Sequence, residues 1–242
     1  MEIEERDEML GQIVARNFRK AEVFKNHGID FCCGGKKTLK QACAEKGLDL
    51  TKIQQELQTA GKDQGSRQLA YEEWNLDFLA DYIVNTHHSY VRKALPGLRQ
   101  YATKVARVHG AQHPELYRIA DLVEEIDDEL SSHLVKEERV LFPYIKKLVA
   151  ATNNSSGIQG PHFNTVQDPI NIMEMEHELA GKKLQEIRAI SNDYALPVDA
   201  CTTYRLSFAA LQAFESDLHQ HVHLENNILF PGAIELFQKA TA

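Results

Sequence analysis

The sequence predicts an all-α protein: a small helical segment, a linker, and an up-and-down four-helix bundle. Three observations predict it. Apolar residues recur at three- and four-residue spacing along most of the chain, no stretch alternates with period two long enough to be a strand, and polar connections separate the periodic stretches. The 242 residues, 43% apolar and 26% charged, suffice for one large domain, or for an ordinary one with a small appendage. A net charge of −8 argues against a general nucleic-acid binder.

The start, Met1-Glu-Ile-Glu-Glu-Arg-Asp-Glu8, is acidic where a secretory signal would be basic and then apolar. No apolar run approaches the roughly 20 residues of a membrane span. Both point to a cytoplasmic protein without a membrane partner, in which four cysteines read as thiols or ligands. Leu10, Ile13, Val14 and Phe18 mark a first short helix, and Leu39, Ala42, Leu48, Ile53 and Leu57 mark further ones. Residues 1–60 hold ten Lys/Arg and ten Asp/Glu, so the remainder carries the whole negative charge. The polar stretch from Thr59 to Ser66, with two glycines, reads as a linker. The boundary is placed near residue 65, separating 1–65 from 66–242.

The larger segment reads as four long amphipathic helices. Leu76, Leu79, Ile83, Val84, Val91 and Leu95 mark the first; Leu116, Ile119, Leu122, Val123, Ile126 and Leu130 mark the second. Ile170, Met173, Leu184 and Ile187 mark the third, and Leu206, Ala210, Leu211, Phe214 and Leu218 the fourth. The longest connection, Asn153 to Pro161, parts the bundle into halves, and the halves repeat. Residues 130–143 match 218–231 at an offset of 88 without a gap, sharing Leu, His, Glu, Leu, Phe and Pro. An earlier helix in each half adds a histidine, His88 and His177. Pro143 and Pro231 are expected to end or kink their helices, because proline lacks a backbone donor and clashes with the preceding turn.

His133 and Glu137 are four residues apart, as are His221 and Glu225, so each pair stacks on one helix face. Leu130 and Val140 share the face of the first pair, which turns it toward the apolar interior. Two buried carboxylates are costly without cations. Two metal ions supply the missing charge, with imidazoles and bridging carboxylates completing their coordination. One His-x-x-x-Glu is usually a solvated pair; two in register, each with a partner histidine, point to a dinuclear site. Imidazole and carboxylate ligation suits iron, with manganese and zinc as alternatives.

The remaining histidines fit less well. His88 is preferred to His87 because Val84, Val91 and Leu95 share its face, while His87 lies about 100° round the helix, beside the ligands or at the surface. His219 and His223 flank His221 at two-residue spacing and turn off the core. His27, His109, His113 and His162 read as solvated.

The segment Gly28-Ile-Asp-Phe-Cys-Cys-Gly-Gly-Lys-Lys37 has a plain reading, a packed turn in which Gly34 and Gly35 allow positive φ. The functional reading is that Cys32 and Cys33, partly exposed beside Lys36 and Lys37, favour the thiolate. Such a pair binds iron or nitric oxide, pairs across molecules, or exchanges electrons with the bundle. Cys43 and Cys201 read as ordinary helix residues.

The repeated His…His-x-x-x-Glu pattern resembles the hemerythrin-like di-iron bundle. With Asp30-Phe-Cys-Cys-Gly-Gly35 in front of it, nearly the whole chain resembles the iron–sulfur cluster repair proteins, the RIC family of YtfE and ScdA type. The resemblance implies two non-haem irons per chain, held by His88, His133, Glu137, His177, His221 and Glu225, with the two glutamates bridging; an oxo bridge is left open. It implies repair of clusters damaged by oxidative or nitrosative stress, by donation of iron rather than classical enzyme turnover. Damaged or apo iron–sulfur proteins would be the partners, and nitric oxide or oxygen the small ligands. It further implies that Glu129 or Glu176 orients a ligand or lines an iron path, a solvated helix face being the alternative.

Oxygen-carrying hemerythrins have a further histidine four residues from the one on the third helix. Here those positions are Met173 and Gly181, so the expected iron is more accessible or more labile. Two other functions stay open: a sensor or carrier of oxygen or nitric oxide, and a di-iron enzyme that reduces nitric oxide or peroxide. The oligomeric state is also open, a homodimer included.

Overall fold

The computed structural model describes residues 7–62, 69–154 and 165–241. The expected boundary near residue 65, most of the Asn153–Pro161 connection, and His162 lie outside these ranges. Among the described residues the regular structure is helical, with one isolated bridge between Met9 and Thr38. No helix among them is long and apolar enough to cross a membrane.

The N-terminal part holds α1 (Leu10–Arg16), α2 (Lys20–Asn26), α3 (Leu39–Lys46) and α4 (Leu50–Lys62). Local chemistry sets the ends of α3. Thr38 Oγ1 accepts from the Gln41 amide while the Gln41 side chain accepts from the Thr38 amide, a reciprocal cap. Gly47, in the left-handed region at φ 64°, closes the other end, and Leu48 N–H reaches back to the Cys43 carbonyl.

The bundle has four rods. The first is α5 (Leu76–Ile83), one π turn (Val84–His88) and α6 (Ser89–His109); the second is α7 (Glu115–Lys136), a π turn (Glu137–Leu141) and α8 (Phe142–Asn154). The third is α9 (Gln167–Ile190), and the fourth is α10 (Thr202–Leu224), a π turn (Glu225–Leu229) and α11 (Phe230–Thr241).

The π turns correct half of the expectation about proline, that it ends or kinks a helix. Pro143 and Pro231 neither end nor break their rods, because the ladder widens just ahead of them: the Phe142 amide donates to the Glu137 carbonyl and the Phe230 amide to the Glu225 carbonyl, five residues back. The widened turn gives each ring room and uses a bonding pattern that the missing proline donor does not interrupt. The extra residue also rotates the remainder of each rod. Val140, expected on the interior face, is 50% exposed, and Leu141 takes the buried position instead. Leu206 is likewise exposed, with Tyr204, Phe208 and Leu211 on the buried face of α10.

Apolar side chains form two clusters. One joins the N-terminal helices to α6, α7, α10 and the later part of α9, through residues such as Ile13, Phe24, Phe31, Leu122, Leu184 and Phe214. The other, at the far end, gathers Ile83, Phe142, Ile145, Ile170, Leu229 and Phe230. At the waist between them lie His88, His133, Glu137, His177, His221 and Glu225, all buried.

Candidate metal centre

At that waist the imidazole Nε2 atoms converge on two carboxylates. His88 Nε2 lies 3.1 Å from His221 Nε2, and His177 Nε2 lies 3.0 Å from His133 Nε2. Glu137 Oε2 is 3.3 Å from His133 Nε2 and 3.4 Å from His88 Nε2. Glu225 Oε2 is 3.1 Å from His177 Nε2, and Oε1 is 3.1 Å from His221 Nε2. The ligand atoms therefore form two lobes, His88 with His221 and His133 with His177, both containing Glu137 and Glu225. Each lobe draws one histidine from each half of the sequence repeat.

The outer ring nitrogens fix how the imidazoles point. His88 Nδ1 is 2.8 Å from Glu138 Oε1, and His133 Nδ1 is 2.8 Å from Glu176 Oε2. A carboxylate only accepts, so Nδ1–H is the donor and Nε2 faces the waist. His177 Nδ1 makes the same bond to Asn226 Oδ1 at 2.8 Å. Glu176 also pairs with Lys136.

Electrostatics shows what this cluster lacks. Burial alone would lower the His88 and His133 rings, but the carboxylates outweigh it: Glu137 and Glu225 push His88 up to about 10, and Glu137 with Glu176 pushes His133 up to about 10. Burial holds His221 below its ordinary value. Both oxygens of Glu137, and Oε2 of Glu225, are buried without a hydrogen-bond donor in bonding geometry. Orphaned carboxylate oxygens facing four imidazole nitrogens fit divalent cations of the first transition row. One turn before His177 stands buried Met173, and one turn after it Gly181, so neither position offers a further ligand.

The surrounding residues meet some expectations and correct others. Glu176 touches His133, as the ligand-orienting reading required. Glu129 does not reach the waist: it is exposed and accepts from Lys183 Nζ at 2.5 Å. His87 is buried rather than superficial, bonded to Asp217 at 3.0 Å and stacked on the His221 ring at 9°. His223 is off the waist but fully buried, because Phe18 and Phe31 of the N-terminal part cover it; burial lowers it to about 3. His27 pairs with Glu56, and His113 with Asp199, so neither is simply solvated.

The cysteine turn departs most from expectation. Cys32 is buried, and its thiol is pushed up by the Cys33 hydrogen bond, by burial and by Asp30, so the thiolate is disfavoured. Lys36 and Lys37 do not help, because they reach away to Glu174 and Glu45. Neither Gly34 nor Gly35 has positive φ. They are small because the chain packs tightly: a Cβ at Gly34 would lie 2.5 Å from the Asp30 carbonyl oxygen, and one at Gly35 2.2 Å from Asn227 Oδ1.

Sequence reasoning missed Glu138, Asn226, Asp217 and Cys201. The first three sit on helix faces that periodicity assigns to solvent, and only the facing rod supplies their partners. Cys201 is the residue before α10, where the Tyr204 amide and the His109 ring, 3.2 Å from Sγ, lower its thiol to about 7.

Compared with known proteins, residues 79–233 match the family described as Hemerythrin HHE cation binding domain. Residues 6–61 match ScdA_N, described as a Domain of Unknown function (DUF542). The chain is 35% identical over 229 residues to the iron-sulfur cluster repair protein YtfE of Dickeya chrysanthemi, covering 95% of this chain and 97% of that one. It is 36% identical to the YtfE proteins of Citrobacter koseri over 232 residues and of Escherichia coli O81 over 234, with the same coverage of both chains.

Proposed function

This chain belongs to the family of iron–sulfur cluster repair proteins carrying a hemerythrin cation-binding domain, and from that premise we propose that it holds two non-haem irons and gives up iron to damaged clusters. The observation that carries the reading is the pair of lobes sharing Glu137 and Glu225. Each lobe has two imidazoles of its own, and the shared carboxylates would hold both ions. Bound iron supplies the metal to be delivered and a place for nitric oxide or oxygen to bind.

The chain's own residues prepare the site. Glu138, Glu176 and Asn226 accept hydrogen bonds from the Nδ1–H groups of His88, His133 and His177, which fixes ring orientation and leaves each Nε2 lone pair for a cation. Two imidazoles per lobe, without a fifth histidine, leave coordination positions open, and that suits release or a small ligand. In this reading residues 66–242 hold the metal and residues 1–65 bring Cys32 and Cys33 to the far side of Asn226 from it, with Glu176 at the rim. The four free cysteines suit a compartment that keeps thiols reduced, and the cytoplasm is the one proposed.

The experiment loads the protein with iron under anaerobic conditions, measures iron per chain, and mixes it with a cluster-dependent dehydratase damaged by nitric oxide. The expected result is two irons per chain, with reactivation matched by loss of iron. In the Cys32→Ser, Cys33→Ser double variant the iron count should hold while reactivation falls. Reactivation no better than with an equal amount of free iron would overturn the donor reading. Turnover of nitric oxide without iron loss would favour the enzyme.

A further inference from the structure

The turn between α2 and α3 gathers a second set of metal-binding atoms outside the waist. One oxygen of Asp30, Cys32 Sγ and Cys33 Sγ lie within 4.8 Å of one another. The backbone prepares this arrangement: Asp30 Oδ1 accepts from the amides of Cys32 at 3.1 Å and Cys33 at 3.0 Å, and from the Cys32 thiol at 3.2 Å. All three of these bonds fall on Oδ1. The Cys33 side chain, burial and the Asp30 charge all disfavour a bare thiolate at Cys32. That is the cost a divalent cation removes.

The place is accessible. Cys33 is half-buried, and a cavity of about 110 Å³ opens beside both sulfurs, with Lys25 and Arg188 on its wall. Gly181 on α9 faces it, where even a Cβ would come within 3.7 Å of Cys33 Sγ. The cavity is large enough for an ion with water attached. Asn226 joins the turn to the waist, since its Nδ2 donates to the Cys32 carbonyl at 3.4 Å while its Oδ1 accepts from His177.

We propose that Asp30, Cys32 and Cys33 form a second, mononuclear site for a thiophilic divalent cation, iron(II) among them, separate from the waist. Binding exchanges protons for metal: the ion enters, two thiols become thiolates, two protons leave, and no electron moves. Three protein ligands leave the fourth position to the cavity, which is the arrangement of an exchanging site rather than a structural one. Its role as a staging point for iron rests on the donor reading above; its capacity to bind metal does not.

The test adds cobalt(II), as the metal alone, to the full chain loaded with only the two irons of the waist. One further ion per chain should bind, with the near-ultraviolet charge-transfer absorption of thiolate bound to cobalt. The Cys32→Ser, Cys33→Ser variant should lose that absorption and the extra ion. Asp30→Asn, which keeps an oxygen for the turn amides, should lower the affinity. Cys33→Ser alone, at the more exposed position, guards against misfolding, and the iron count and helical circular dichroism of every variant should match the parent. Absence of the absorption in the parent, or its persistence in the double variant, overturns the site. If the absorption appears but repair does not depend on it, the site stands and only the staging role fails.

Discussion

Glu137 and Glu225 each face histidines from both lobes, whereas each histidine serves one. Moving a carboxylate into an apolar interior costs several kcal/mol that only opposite charge offsets; buried Glu215 has Arg188 for this, whereas these two face imidazoles. Glu137→Leu should therefore empty both positions, and Glu225→Leu should do the same. His133→Ala, which opens one lobe, should leave close to one iron per chain. Metal analysis beside the absorption spectrum checks this, and a Glu137→Leu protein that keeps two irons is not bridged there. A second residue-scale expectation concerns Cys201. With its thiol near 7, about half is thiolate at neutral pH, against a few per cent for an ordinary cysteine. Alkylation by iodoacetamide, followed at the Cys201 peptide, should rise with pH through an inflection near 7. His109→Gln should slow it at pH 7 and move the inflection upward; an inflection unchanged by the substitution would show that the ring has no part.

Among the elements, α1 and the π turn before α11 meet with almost no slack. Gly11 on α1 is buried against Asn227, and a Cβ there would sit 2.2 Å from Asn227 Oδ1. Asn227 cannot simply move, because its Nδ2 donates to the Phe31 and Cys32 carbonyls at 3.3 Å. Gly11→Ala should cost about 1–3 kcal/mol as overpacking, and Asn227→Ala about 1 kcal/mol for its lost bonds. The double variant should cost less than the sum, because the second change removes what the first collides with. Denaturant titration of the four proteins measures the difference, and strict additivity would mean that the helices part rather than press. The same turn shows why element boundaries were only partly legible. His-x-x-x-Glu spacing places both side chains on one face of a regular helix, but nothing local announces that the next turn is π-helical. Val140 and Leu141 consequently exchange places. Pro143 was a signal for that turn, although by itself it announces only an end or a kink.

At the scale of the whole molecule, the N-terminal helices and the upper bundle share one apolar cluster, so neither is closed without the other. His223 illustrates the union: its ring lies under Phe18 and Phe31, while its helix carries Glu225 two residues on. Unfolding should accordingly be one transition. Fluorescence of Trp74, packed with Tyr71 and Tyr82 beside the lower cluster, and the reactivity of Cys33 in the N-terminal turn should share a midpoint in urea. Two separated midpoints would mean that the shared cluster does not couple the parts.

The sequence by itself determined that the chain is helical, that it carries a doubled His…His-x-x-x-Glu signature, and which six residues meet in the bundle. Periodicity and spacing are properties of single helices, and a repeat is visible without folding anything. The tertiary structure alone decided how those six divide. Each lobe pairs a histidine of the first half with one of the second, because His88 on the first rod faces the fourth and His133 on the second faces the third. Neither half of the repeat can then form a lobe by itself. The same holds for the thiols: Asp30 closes the turn over Cys32, and α9 with α10 covers it. A Cys32 thiol that reads as exposed beside lysines in one dimension is therefore buried beside Asp30 in three. Burial and charge at a point depend on what the rest of the chain brings there, and that information is not local.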